Sequence, residues 1–134
     1  MMVELAEANL AEIQTSRLAL EKTQNEQVKK FAQKMVDDHT QALQELETVA
    51  QSKRVRLPDS PDMTHRLLTT TMRAMTAQAF DTQYIQRMGI NAHQRTSELL
   101  EKIQRSAQDT DFKALATKQL PIVQNHLQMA QQMA

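Results

Sequence analysis

The sequence has no cysteine and no tryptophan, a single glycine, a single tyrosine and three prolines among its 134 residues. Without cysteine there is no disulfide, thiolate metal site or thiol nucleophile. Without a glycine-rich turn there is no loop to cradle a phosphate, and no Ser-His-Asp order stands out, so hydrolase chemistry is disfavoured. Runs of β-branched residues with period-two alternation are missing, which argues against a sheet. Sixteen basic residues balance sixteen acidic ones, so nothing supplies the clustered positive charge that a nucleic-acid backbone requires. The short basic run Lys53, Arg54, Arg56 falls where a helix ends and is expected to offset the negative helix terminus. No stretch approaches the roughly 20 apolar residues of a membrane span, and no signal peptide is visible, because the chain opens on the helical pattern VELAEANLAEI.

What fills the chain is Gln, Ala, Leu, Met, Glu and Lys, all good helix formers. The length suits one domain over residues 1–134 with a single core. Val3, Ala6, Leu10, Ile13 and Leu20 predict a first helix over 2–22. Asn25 is a candidate N-cap for a second over 26–52, where Val28, Ala32, Met35, Val36, His39, Leu43, Leu46 and Ala50 recur at spacings of three and four. LPDSPD, residues 57–62, is the main break, with Ser60 as a candidate cap. A short crossover helix is expected over 63–77. A third long helix should open at Phe80-Asp81 with Asp81 as its cap, and a fourth at Asp109 or Thr110, kinked at Pro121. The lone Gly89 inside the third helix costs roughly 1 kcal/mol relative to Ala and signals a close approach or a cofactor pocket. Four long helices with a crossover between the second and third give an all-α, ferritin-like four-helix bundle.

Three of the four histidines lie in apolar stripes of these helices: His39, His93 and His126. Counted at 1.5 Å per residue, they share one depth near mid-bundle with Glu12, whose helical neighbours Ala8, Thr15, Ser16 and Ala19 are all small. Buried imidazoles need partners for their nitrogens. One solution is a metal: Glu12, His39, His93 and His126 suit a divalent transition ion such as zinc, copper or iron. The alternative is a structural or partner-binding bundle whose histidines form a buried hydrogen-bond network. A carboxylate-bridged di-iron oxidase is disfavoured, because Val36, Ile90 and Val123 stand where its Glu-x-x-His motifs need glutamate. Asp38 is a candidate to orient an imidazole from behind. Tyr84 is expected to pack with its hydroxyl satisfied. His65 is expected at the surface of the crossover. Met35, Met88 and Met129 read as core filler before copper ligands.

The segments AEIQTSRLAL (11–20), VKKFAQKMVDDH (28–39), FDTQYIQRMGINAH (80–93) and LPIVQNHLQMA (120–130) resemble the bacterial domain-of-unknown-function family 4142. The shared elements are Met-Val-x-Asp-His, Phe-Asp-x-x-Tyr followed by His, and Leu-Pro followed by His-Leu, in that order. The family pattern falls on Glu12, Asp38, His39, Phe80, Asp81, Tyr84, His93, Pro121 and His126. Ala77 to Ala79 depart from it, where the family often has Gly shortly before Phe-Asp. The resemblance covers nearly the whole chain and implies a ferritin-like helical fold. Many members carry export signals and are described as outer-membrane or periplasmic proteins, so it also implies an exported protein. It implies no defined activity.

Overall fold

The computed structural model describes residues 1–134, and every regular element in it is helical. Helix α1 spans Met2–Lys22, α2 Glu26–Ser52, α3 Met63–Arg73, α4 Ala77–Gln83, α5 Ala92–Ser106 and α6 Thr110–Met133. Between α4 and α5, Tyr84–Asn91 is π-helical, so residues 77–106 run on as one rod.

Local chemistry explains most boundaries. Asn25 caps α2 by accepting from the backbone N–H groups of Gln27 and Val28, and Asp109 caps α6 by accepting from Phe112. Helix α2 ends in a Schellman motif: Val55 N–H donates to the Ala50 carbonyl and Arg54 N–H to that of Gln51. Arg54 takes the left-handed conformation there, with φ 56°. Lys53 at this end bonds Asp109 and Asp111 at 3.0 and 3.1 Å, tying the foot of α2 to the start of α6. Its neighbouring helix terminus is thus only part of the reason for a basic residue at this place.

Three expected boundaries need correction. The third long helix opens at Ala77, not Phe80-Asp81, because Thr76 accepts from the Ala79 N–H and takes the capping role expected of Asp81. The crossover helix stops at Arg73, four residues short of the expected end. Its N-cap position is held by Asp62 rather than Ser60, and the Asp62 carboxylate turns to His65 instead of the backbone.

Side-chain neighbours give the helix directions. Phe31 meets Tyr84 and His39 meets His93, so α2 and the 77–106 rod run parallel. Glu45 meets Lys118 while Asp38 meets His126, so α6 is antiparallel to α2. Asn9 meets His39, and Ser16 meets Tyr84, so α1 is antiparallel to both α2 and the rod. The order is up-down-down-up with α3 in the crossover, as expected for a ferritin-like bundle. A simple up-down-up-down chain would make α2 and the rod antiparallel.

The apolar interior falls into two clusters. Phe31, Met35, Phe80, Tyr84 and Met88 belong to one, at the end of the bundle where α2 begins. Leu5, Leu46, Leu100, Ile103 and Phe112 belong to the other, towards the end where α6 begins. His39, His93 and His126 fall between them on their helices, all buried. Gly89 sits in the first cluster's wall, and the reason for it is close approach: a Cβ there would stand 2.8 Å from the Ala130 Cβ of α6. Replacing Gly89 by Ala should therefore destabilise the protein by about 1–3 kcal/mol, despite the better helix propensity of Ala. Thermal melting of the variant reads this directly, and adding Ala130→Gly should restore much of the loss.

Candidate metal centre

The three imidazoles form a nearly equilateral triangle. Ring centroids lie 5.3 Å apart for His39–His93, 5.3 Å for His39–His126 and 5.2 Å for His93–His126. One ring nitrogen from each lies within 4.8 Å of those of the other two. They arrive from α2, the rod and α6, so no two share a helix.

The outer nitrogen of every ring is fixed by an acceptor, and this determines the tautomers. Asn9 donates its amide N–H to the Leu5 carbonyl, which leaves its Oδ1 to face His39 Nδ1 at 2.8 Å. His39 Nδ1 must then be the donor, and its Nε2 carries only a lone pair. His93 Nδ1 donates to the Met88 carbonyl at 2.7 Å, so its Nε2 is bare as well. His126 Nε2 donates to Asp38 Oδ2 at 2.8 Å, and its buried Nδ1 has no hydrogen-bond partner. His39 and His93 thus turn bare nitrogens on each other, and His126, the third ring of the triangle, keeps a buried lone pair on Nδ1. His39 Nε2 and His93 Nε2 stand 3.2 Å apart with no proton to share between them in the neutral state. Metal-ligating histidines characteristically have this second bond from the far nitrogen to a carbonyl or carboxylate.

The Met88 carbonyl is available because of the π-helical stretch. Ala92 N–H still bonds the Arg87 carbonyl five residues back, whereas α5 proper bonds four back. The change of register skips one carbonyl, and Met88 is at that position. The backbone of Met88, rather than its thioether, is therefore what reaches the site. Met35 and the Met88 side chain pack in the apolar cluster, with Met129 against it.

Electrostatics keep the trio uncharged. Burial pushes the His39 pKa well below the usual imidazole value, reinforced by His93 and then His126. Burial, followed by His126, lowers His93 to about 4, against smaller raising effects from the Met88 and Gly89 backbone. His126 is also lowered, by burial, although Asp38 opposes this. Burial would raise Asp38, but His126 and Lys34 outweigh it and hold the carboxylate below its usual value. Asp38 is therefore ionised beside His126, as a residue orienting that ring must be.

Glu12 is buried within the same layer, but on another side of His93. Its Oε1 lies 3.6 Å from His93 Nδ1, while Nε2 is the His93 nitrogen that meets His39. Neither carboxyl oxygen has a hydrogen-bond partner, and burial raises its pKa well above the ordinary value. The structure thus brings three of the four expected ligands together and stands Glu12 behind one of them. Tyr84 packs between Phe31 and Phe80, with its hydroxyl 2.6 Å from Ser16 Oγ, as expected. His65 is partly covered and held by Asp62, away from the triangle. Asp81 has one buried oxygen without a partner.

Asn9 and the π-helical register are absent from the sequence expectations. Asn9 gives no periodic signal, since an amide on a helix face reads as solvated. The π stretch does leave a trace: Phe80, Tyr84, Met88 and His93 are all buried at spacings of four, four and five, wider than the 3.6 residues of an α-helical turn.

Residues 1–133 match the family model described as domain of unknown function DUF4142. The chain belongs to this family. No curated protein matches it. Among solved structures, it is similar to the crystal structure of a Streptomyces coelicolor DUF305 protein described as secreted, with a TM-score of 0.81 at 12% sequence identity. The alignment covers 96% of this chain and 84% of the other. At that identity the likeness is one of fold. No helix in this DUF4142 protein is long and apolar enough to cross a membrane.

Proposed function

We propose that this protein binds one divalent transition-metal ion, zinc, copper or iron, through His39, His93 and His126. The carrying observation is the pair of facing Nε2 atoms at 3.2 Å, each deprived of its proton by a pinned Nδ1. Two such nitrogens repel. A proton between them would create an imidazolium, which burial opposes in both rings. A metal ion removes the conflict. Ligand nitrogens about 2.0–2.1 Å from a tetrahedral ion lie about 3.3–3.4 Å from each other, close to the spacing seen here. Asn9, the Met88 carbonyl and Asp38 then orient the three rings. Glu12 supports the His93 side of the site, as a neighbour of that ring.

The competing reading, a metal-free hydrogen-bond network, finds no side-chain partner for the His126 Nδ1 and sets two lone pairs against each other at 3.2 Å. It is the weaker account of this geometry. Export is supported by the description of the DUF305 protein as secreted. Nothing in the site calls for a catalytic nucleophile or a general base.

Metal analysis decides the central point. Protein purified without chelator or affinity histidines and then repleted with Zn²⁺ or Cu²⁺ should hold about one ion per chain after buffer exchange. The double variant His39→Ala, His93→Ala should hold none. Equal metal content in the two proteins would sink the proposal.

A further inference from the structure

A cavity of about 390 Å³ opens between α2 and α6 and reaches His39 and His126 from outside. Its inner wall includes Leu5, Asn9 and Thr96, so it passes from the surface into the middle of the bundle. Leu5 and Asn9 are almost wholly covered by protein. His93 does not line it, which places the cavity on one side of the imidazole triangle, with Glu12 and the Met88 carbonyl behind His93 on another. Three imidazoles satisfy three positions of a four-coordinate ion, and an ion with three protein ligands takes its fourth from solvent or a bound molecule.

The charges around the triangle narrow what that molecule is. The three ligands are neutral, and the carboxylate in direct contact with one of them is Asp38, on His126. Glu12 is the other nearby acid, set behind His93 at its Nδ1 and away from the cavity wall, and two carboxylates with Lys34 beside one of them do not cancel a divalent charge. Lys34 and Lys118 at the cavity wall are each paired with an acid, Asp38 and Glu45, so the wall adds no excess of either sign. A divalent ion here keeps a net positive charge. We infer that the fourth coordination position opens into this cavity and takes a small anionic donor, bound directly to the metal. The inference rests on the metal reading above and assigns that site its exchangeable ligand.

Azide bound to Cu²⁺ gives a charge-transfer band in the near ultraviolet, and this is the test. Cu²⁺-loaded wild-type protein in chloride-free buffer should develop that band saturably as azide is added. Copper content is measured on the same samples. If copper is bound and no band appears, the ion is closed off and this inference is wrong, while the metal reading stands. If no copper is bound, both are wrong. Ala42 lines the cavity without being one of the residues placed in the site. Ala42→Phe grows into the cavity and should keep its copper while weakening azide by at least about tenfold. Undiminished azide affinity in a copper-loaded, folded Ala42→Phe protein would show that the ligand enters elsewhere and would overturn the cavity assignment. The wild-type titration stands on its own if that variant fails to fold.

Discussion

Zinc at 100 times its dissociation constant should stabilise the wild-type protein by about 2.7 kcal/mol. For a chain of this length that is a rise of roughly 10 °C in melting temperature. The effect is large because the site is assembled only in the native state. Its ligands come from three helices, and the two closest in sequence still stand 33 residues apart. The unfolded chain cannot present them at one point. His93→Ala should remove the shift, because it deletes the ring that faces His39 and whose orientation the π-helical register fixes. A wild-type melt that does not move with zinc or copper would favour the hydrogen-bond network instead.

Mild acid should weaken the metal-free protein. His93 has its pKa lowered to about 4 in the fold, against about 6.5 in an unfolded chain. Between those values the unfolded chain binds a proton that the native state refuses, so stability falls as pH falls. From pH 7 to pH 5, His93 alone accounts for about 2 kcal/mol, and His39 acts in the same direction. Glu12 acts in the opposite direction. Its raised pKa means that the native state holds a proton the unfolded chain releases above its ordinary value, so its cost grows with pH and is relieved in acid. Denaturant unfolding at the two pH values should therefore show the loss, and Glu12→Gln should make it steeper. A metal-free Glu12→Gln protein equally stable at both would contradict the buried, neutral state of the imidazoles.

The same depression changes the expected pH profile of the loaded protein. Ordinary histidines would begin to release metal near pH 6.5 as they take up protons. Here the rings remain neutral below that, so metal content should hold from pH 7 to about pH 5 and fall only as pH approaches 4, the region of His93.

How far the sequence reveals this protein depends on whether a feature is periodic. The bounds of α1 and α2 follow from apolar spacing and from the Asn25 cap, and the structure has them at Met2–Lys22 and Glu26–Ser52. The shared depth of His39, His93 and His126 follows from counting residues along helices, and the triangle is there. Depth, however, does not say which way a ring points. Glu12 shares the layer yet meets His93 at Nδ1, the side turned from His39, because rotation about the helix axis decides such contacts. Asn9 lies one turn before Glu12 and is the residue that reaches His39. Helix direction was also out of reach of the counts, since every site is near mid-helix and either topology keeps them level. The π stretch was hidden because Gly89 offers a sufficient explanation of its own for an irregular place in a helix.

That stretch makes the rod intolerant of a change in length. Its eight residues, Tyr84–Asn91, join a segment packed in one apolar cluster to a segment packed in the other. Deleting a single residue there would let an ordinary α-helix run straight through. The wider turns of the π stretch absorb the extra residue, so the segments on either side would keep their faces. What would go is the skipped carbonyl: each one along the rod would be taken by the N–H four residues on, and His93 would lose the acceptor that fixes its Nδ1. Most surface positions of this bundle can drift by substitution without consequence for the interior, but between residues 84 and 91 the number of residues is itself part of the site.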